Sequence, residues 1–313
     1  DHPRAEELFE KALAMLTEVG EKHGAALALR NLAVVKLSQG QNRAARTRLE
    51  RSLEMWRQIG DRGGMAWDLN NLGILATERG DYLSAQAYLN EGLALFEESG
   101  NRRGVAWTLQ KMASIEGDEG RYDPAWALLK ESLAIFEDLG DKHGGAWCIE
   151  EMSLVARSRG DLTAARSYLD QATERFREID DRQAIAYATQ RRGVLHRLEG
   201  DLDAAMACND EALSAFLSAR ESRGIMRVLQ ERAMIAIGRG HHGKGIRAWG
   251  AADAMREEHE LSIPPSERGL FEPLLSEART ALGDPAYESA LGEGRTMKPE
   301  EAAQSLLEAD RTG

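Results

Sequence analysis

Glycine recurs along this chain with a period of 40: Gly40, Gly80, Gly120, Gly160, Gly200 and Gly240 stand in register without a slip. A fixed period of that length marks a chain built from stacked copies of one supersecondary unit, because each copy must turn at the same point. Two further columns keep the register. One runs Gly20, Gly60, Gly100 and Gly140 and then becomes Asp180 and Arg220; the other runs Gly24, Gly64, Gly104, Gly144, Ala184 and Gly224.

Between the glycines the apolar spacing is helical. Leu69, Leu72, Gly73 and Ala76 fall at i, i+3, i+4 and i+7, one face of a helix, and Tyr82, Ala85, Leu89, Leu93 and Phe96 make a second such stripe. Gly80 fits the left-handed residue that closes the first helix, where a Cβ would be strained. Asp81 then fits an N-cap whose carboxylate accepts free backbone N–H groups, and Asp161 and Asp201 repeat it. Gly60-Asp61, Gly100-Asn101 and Gly140-Asp141 mark the other junction in the same way. Each unit therefore reads as helix A, tight turn, helix B, short loop. Ala45, Ala85, Ala125, Ala165 and Ala205, continued by Gly245, hold one helix-B position, and a methyl group there lets helix B approach helix A closely. Leu49, Leu89, Leu129 and Leu169 form a bulky column, and Trp56, Phe96, Phe136, Phe176 and Phe216 form another. One hairpin cannot bury both faces, so stacked neighbours must complete the core.

Glycine at the helix-A position of Gly73 and Gly193, the alanine column, and an aromatic late in helix B together resemble the tetratricopeptide signature. That family usually repeats every ~34 residues. The longer unit, over about residues 5–260, resembles the repeats of large bacterial transcription activators and the related signal-transduction NTPases with numerous domains. The fold expected is all-α: a right-handed α-solenoid of tetratricopeptide-like helix hairpins with a C-terminal helical cap. Residues 1–20 would be a half-repeat, helix B of a preceding unit; residues 21–260 would be six repeats, and 261–313 the cap.

In the cap the period fails. Ile263-Pro264-Pro265 breaks the chain, because Pro265 restricts its predecessor and neither proline donates an N–H. Ser266 is expected to cap a helix to about Leu282, Gly283-Asp284-Pro285 to start another to about Leu291, and Pro299 to open a last one to about Ala309. The order WGAADAMRE, PPSERGLFE, ALGDPAYESALGEGRTM and EEAA is similar to the extreme C-terminus of large actinobacterial-type regulators of the LuxR-like or STAND ATPase class. That resemblance implies an NTPase ahead of the repeats and an effector domain at one end. The chain lacks an initiator Met and begins inside a helical pattern, so it reads as part of something longer.

Several function classes are disfavoured. A net charge of −12 is the wrong sign for neutralising phosphate, so no direct nucleic-acid binding is expected. No apolar run reaches the ~18 residues a membrane span needs, and no signal peptide is visible. Cys148 and Cys208 lie in different repeats without a CxxC, which suits buried free thiols in a reducing cytoplasm. Gly238 to Lys244 fits G-x-x-x-x-G-K, but Gly245 replaces the Ser or Thr that would hold magnesium, and the preceding residues continue helix A. His241 and His242 would diverge by about 100° on a helix, and His23 and His143 sit at matching junction positions. No G-x-S-x-G or H-E-x-x-H occurs. No catalytic residue, metal site or cofactor is expected.

In tetratricopeptide superhelices helix A lines the concave wall, so register from Gly73 points to positions 67, 70, 74 and 77. The first column gives Trp67, Trp107, Trp147 and Tyr187, a ladder of aromatics; the second gives Asn70, Gln110, Glu150, Gln190 and Gln230, side chains able to pair with a peptide backbone. The fourth contributes Arg157 and Arg197, which could receive an acidic group. The tryptophans equally suit packing between adjacent A helices, and both readings stand. The expected function is a non-catalytic, cytoplasmic scaffold that takes a protein, peptide or small inducer in the concave groove. It would be the sensor region of a multidomain ATPase or transcription regulator, or else a free-standing adaptor; oligomeric state is open.

Overall fold

The computed structural model describes residues 2–298 and Glu301, with side chains from Arg4 onward. At each forty-residue glycine the backbone turns left-handed, with φ of 75° at Gly80 and 88° at Gly200. Where the second column loses its glycine, Asp180 and Arg220 take the same conformation at φ 51° and 54°. Side-chain caps open the next helix: Asp61 Oδ1 accepts from Gly64 N at 2.8 Å, Asp161 Oδ1 from Ala164 N at 2.9 Å and Asp201 Oδ1 from Ala204 N at 3.0 Å.

Turn and cap together segment the chain into helices, and no strand occurs among the described residues. In chain order these are α1 (His2–Glu18), α2 (Lys22–Ser38), α3 (Asn42–Ile59), α4 (Arg62–Glu78), α5 (Tyr82–Glu98), α6 (Arg102–Asp118), α7 (Tyr122–Asp138) and α8 (Lys142–Ser158). They continue as α9 (Leu162–Glu178), α10 (Arg182–Leu198), α11 (Leu202–Ala219), α12 (Ser222–Gly238), α13 (His242–Glu258), α14 (Pro265–Leu282) and α15 (Asp284–Thr296). The arrangement is an all-α solenoid of repeated hairpins. Two compact units are present. Unit 1 runs to Glu151 and takes in His259–Ser262; unit 2 is Met152–Glu258 with the described residues from Ile263 on. That division cuts α8.

In unit 1, Ala45, Leu49 and Leu53 of α3 pack on Leu69, Leu72 and Leu75 of α4, and Ala76, Ala85, Leu89 and Ile115 form the next layer. In unit 2 Ala156, Ala165, Leu169, Ala188 and Leu195 repeat the pattern. The alanine column is fully buried throughout. The third glycine column has a steric reason. A Cβ on Gly104 or Gly144 would lie 2.4 Å from the ring of Phe96 or Phe136, so the late aromatic of one repeat seats directly on the opening turn of the next helix A. Helix-B hydroxyls tie neighbouring elements further: Ser52 Oγ donates to Ala26 O at 2.9 Å and Ser132 Oγ to Ala106 O at 2.7 Å.

Residues 259–262 dock on two turns of unit 1. The His259 Nδ1 atom lies 2.8 Å from Gly40 O, and Ser262 N donates to Glu78 O at 2.7 Å, which satisfies a carbonyl that a helix end leaves open.

The C-terminal region departs from expectation in detail. Helix α14 starts at Pro265 rather than behind a Ser266 cap; Pro264 is the cap residue and makes no side-chain cap bond. Proline's fixed φ suits the first helical position, so the Pro-Pro pair starts the helix instead of merely preceding it. Helix α15 continues past Leu291 to Thr296. Gly294 is where α15 meets α13 backbone to backbone: a Cβ there would lie 2.0 Å from Arg247 O. The helix expected over 299–309 lies outside the described residues. Cys148 is buried, and burial pushes its thiol up to about 12; Cys208 is only half-buried. His23 and His143 sit in the first turns of α2 and α8, not in loops. The Gly238–Gly245 segment is the turn between α12 and α13, with Lys244 inside a helix. No described helix is long and apolar enough to cross a membrane.

Candidate functional site

The aromatic column begins in unit 1 with Trp67 on α4, Trp107 on α6 and Trp147 on α8, each half-buried. One edge of the ring packs on the late aromatic of the same hairpin. Trp67 meets Phe96 at 5.0 Å between centroids and 69° between planes, and Trp107 meets Phe136 at 5.1 Å and 70°. These are edge-to-face contacts, the arrangement the ring quadrupoles favour. Trp147 Nε1 donates to His143 Nε2 at 3.0 Å, one helical turn back, and the His143 ring also lies 5.9 Å from Trp107. Trp107, His143 and Trp147 thus form one aromatic patch, with Lys111 Nζ 6.0 Å from the Trp107 ring. Each tryptophan is anchored on its inner side and leaves part of its surface open.

The second column is not the open wall expected of it. Asn70, Gln110, Glu150, Gln190 and Gln230 are all buried, none more than 8% exposed. Helix crossing explains this. Helix α5 meets α4 backbone to backbone at Ala66–Asn70, where a Cβ on Gly92 would lie 3.3 Å from Ala66 O. Helix A therefore has neighbours over most of its circumference, and position 70 is drawn inside. Asn70 Oδ1 and Gln110 Oε1 have no hydrogen-bond partner there.

Asp68 shares that interior and is fully buried, with Arg30 Nε 3.9 Å from its carboxylate. Burial pushes its pKa up to about 7; Ser52, Arg30 and Trp56 oppose the rise without cancelling it. The only Ser52 hydroxyl proton goes to Ala26 O, so neither carboxylate oxygen closes a hydrogen bond.

Unit 2 carries a different chemistry. Arg157, Gln190, Arg197 and Gln230 do converge, on a cavity of about 20 Å³, the room of about one water. Arg191, Arg227, Glu231 and Glu267 share the lining. Arg197 is committed to Glu231: its Nε donates to Oε1 at 2.6 Å and its Nη2 to Oε2 at 3.2 Å, a bidentate pair linking α10 and α12. Glu267 of α14 enters among three other guanidiniums. Its Oε1 lies 3.5 Å from Arg157 Nη2 and 3.9 Å from Arg227 Nη1. Burial alone would raise the Glu267 pKa, but Arg227, Arg157 and Arg191 outweigh it and hold the carboxylate below its ordinary value. Arg191 is lowered to about 9, by burial first and then by Arg227, and so stays charged at neutral pH. Tyr187 packs on Phe216 at 4.8 Å and donates its hydroxyl to Glu221 Oε2 at 3.1 Å; burial raises its phenol.

Register on helix A thus brings Trp107 and Trp147 together in unit 1, and Arg157, Arg197, Gln190 and Gln230 together in unit 2. Trp67 keeps its own hairpin contact, while Asn70, Gln110 and Glu150 fall inside helix interfaces. Arg191, Glu231, Glu267 and Phe271 were not legible. The non-periodic cap supplies two of them, and Arg191 stands one residue off the chosen column.

The tetratricopeptide-repeat family model matches residues 1–58, 24–98 and 65–138. No curated protein matches the sequence. Among solved structures, the chain is similar to a Rap protein complexed with competence and sporulation factor, at 16% identity and a TM-score of 0.66, over 94% of this chain and 80% of that one. It is similar to aspartyl phosphate phosphatase F from Bacillus subtilis at 11% identity and a TM-score of 0.60, over 91% and 76%. It also resembles a signal-transduction ATPase with numerous domains that carries a tetratricopeptide-repeat sensor, from Pyrococcus horikoshii. That match has 14% identity and a TM-score of 0.54, and covers 95% of this chain but only 45% of that protein. At these identities the likeness is one of fold.

Proposed function

We propose that this chain is a non-catalytic, cytoplasmic scaffold that binds a peptide or protein segment along the helix-A face of unit 1, as the sensor region of a multidomain regulator. The observation that carries the reading is the row Trp67, Trp107 and Trp147, with one half-open tryptophan per repeat, each anchored by a neighbouring side chain. A ring held on one side loses little entropy when a ligand covers the other, and so makes an efficient contact. Helix layers stack at roughly 10 Å and an extended chain advances about 3.3 Å per residue. A bound segment would therefore offer a side chain to each ring about every third residue. The amides have no place in this version of the site, because they are buried. The sensor role is favoured by the likeness to a tetratricopeptide-repeat sensor in an ATPase.

Panning a random 15-residue peptide library on the full chain, followed by calorimetry, tests the proposal. Trp107→Leu should weaken the selected peptides at least about tenfold, as expected of an aromatic contact worth ~1.4 kcal/mol or more, while far-UV circular dichroism stays unchanged. Leu83→Ser, at an 84% exposed helix-B position, should leave affinity as it is. Failure to enrich any peptide, or equal binding by Trp107→Leu and the parent, would refute it.

A further inference from the structure

We propose that the open face of α1 pairs with the same face of a second copy of this chain, the two helices running antiparallel. Helix α1 is a helix B by register: Leu8, Ala12 and Met15 stand one repeat before Arg48, Ser52 and Met55 and two before Tyr88, Gly92 and Leu95. In every later hairpin of unit 1 that face is covered by a helix A. Ser52 and Ser132 are fully buried and donate to Ala26 O and Ala106 O, and a Cβ on Gly92 would lie 3.3 Å from Ala66 O. Tyr88 and Leu95 pack on the core beside them. In α1 the same positions are open: Leu8 is 58% exposed, Met15 67% and Val19, just past the helix end, 75%. This surface is separate from the tryptophan row and does not rest on it.

Two features select a second copy as the occupant. Leu8, Ala12, Met15 and Val19 follow at i, i+4, i+7 and i+11, a single stripe with a small, half-buried residue near its middle. An antiparallel copy lays Leu8 against Met15 of the second copy and brings the two Ala12 residues together at the twofold axis. A methyl group there lets the helices approach, as the alanine column does inside the hairpins.

The second feature is charge. Along one edge of the stripe run Arg4, Glu7, Lys11 and Glu18, two charges of each sign. Lys11 donates to Glu7 within the helix. Arg4 and Glu18, at opposite ends, make no ion pair among the described residues. The antiparallel arrangement sets each Arg4 beside Glu18 of the second copy, whereas a parallel one would set like charges together. Pairing of this kind fixes register and orientation more than it adds affinity. One helix face on each side is a small interface, so the dimer is weak and concentration-dependent.

Sedimentation equilibrium of the full chain is the test. The parent should be mainly dimeric at about 100 µM and mainly monomeric at about 1 µM, as a one-helix interface implies. Leu8→Glu and Met15→Glu should each weaken the dimer at least about tenfold. Far-UV circular dichroism should stay unchanged, because both side chains are exposed in the single chain. Leu83→Glu, at the 84% exposed position of α5, should leave the dimer as it is. Arg4→Glu alone and Glu18→Arg alone should each weaken it about threefold, and the two together should restore it, because the pairs re-form with their signs exchanged. A parent that stays monomeric at about 100 µM, a dimer indifferent to Leu8→Glu, or a double charge exchange no better than either single one would overturn the proposal. So would a chain that stays monomeric and binds one synthetic peptide copying residues 61–80, because the face would then belong to another helix A.

Discussion

Asp68→Asn should stabilise the protein at pH 8, by about 3 kcal/mol, and the gain should shrink as the pH falls towards 4. The carboxyl is fully buried and pushed up to about 7, against an ordinary value near 3.8. Between those two values the native state holds a proton that the unfolded chain has released. Stability of the parent therefore rises as pH falls from about 7 to about 4, and the contribution is lost as pH rises through the folded pKa. A tenfold change in proton affinity is worth ~1.4 kcal/mol, so the buried charge costs a few kcal/mol above pH 7, less whatever an imperfectly paired asparagine costs in turn. Arg30 does not rescue the carboxylate, because 3.9 Å from Nε is a contact and not a hydrogen bond. Urea melts of parent and variant at pH 5 and pH 8 measure the difference. A variant less stable than the parent at pH 8 would show that Asp68 is held as a paired anion.

Gly294→Ala should loosen the C-terminal helix pair, while Gly292→Ala, two residues away, should not. A Cβ at position 294 meets the Arg247 carbonyl oxygen at 2.0 Å, and main chain cannot rotate aside as a side chain can. The helix must shift, and overpacking of that kind costs ~3 kcal/mol or more where no side chain can yield. Position 292 has nothing within 4 Å, so alanine there gains ~0.5–1 kcal/mol of helix propensity. Hydrogen exchange across α13 and α15 separates the cases: amides of both helices should speed up by an order of magnitude or more in the first variant and hold or slow in the second. Equal protection in both would mean that α15 does not rest against α13 in solution.

The fold was legible because each repeating position has one physical job. A glycine that must turn left-handed, an aspartate that must cap, and an alanine that must let two helices touch are each fixed by local chemistry. What could not be read was which side of helix A stays open. Position 70 looks like a surface position because its residues are polar, yet α5 crosses there and buries them. On α12 the burial runs nearly all round, from Gly224 to Ile237, so no polar stripe marks an outer face. The arginine pocket was half visible. Arg157 and Arg197 came from register, but their acidic neighbour Glu267 lies in the aperiodic cap, and no local pattern encodes a contact between residues 157 and 267. The tryptophans were ambiguous for a real reason, since each packs on one side and is open on the other.

That open side is the central claim, and hydroxyl-radical footprinting of the tryptophans tests it most directly. Trp126 on α7 is half-buried like the row but belongs to a helix B, and serves as an internal control. With a library-selected peptide at saturation, oxidation of Trp67, Trp107 and Trp147 should fall several-fold while Trp126 keeps its free-state rate. Protection of Trp126 with the three helix-A tryptophans unchanged would contradict the assignment of the binding face.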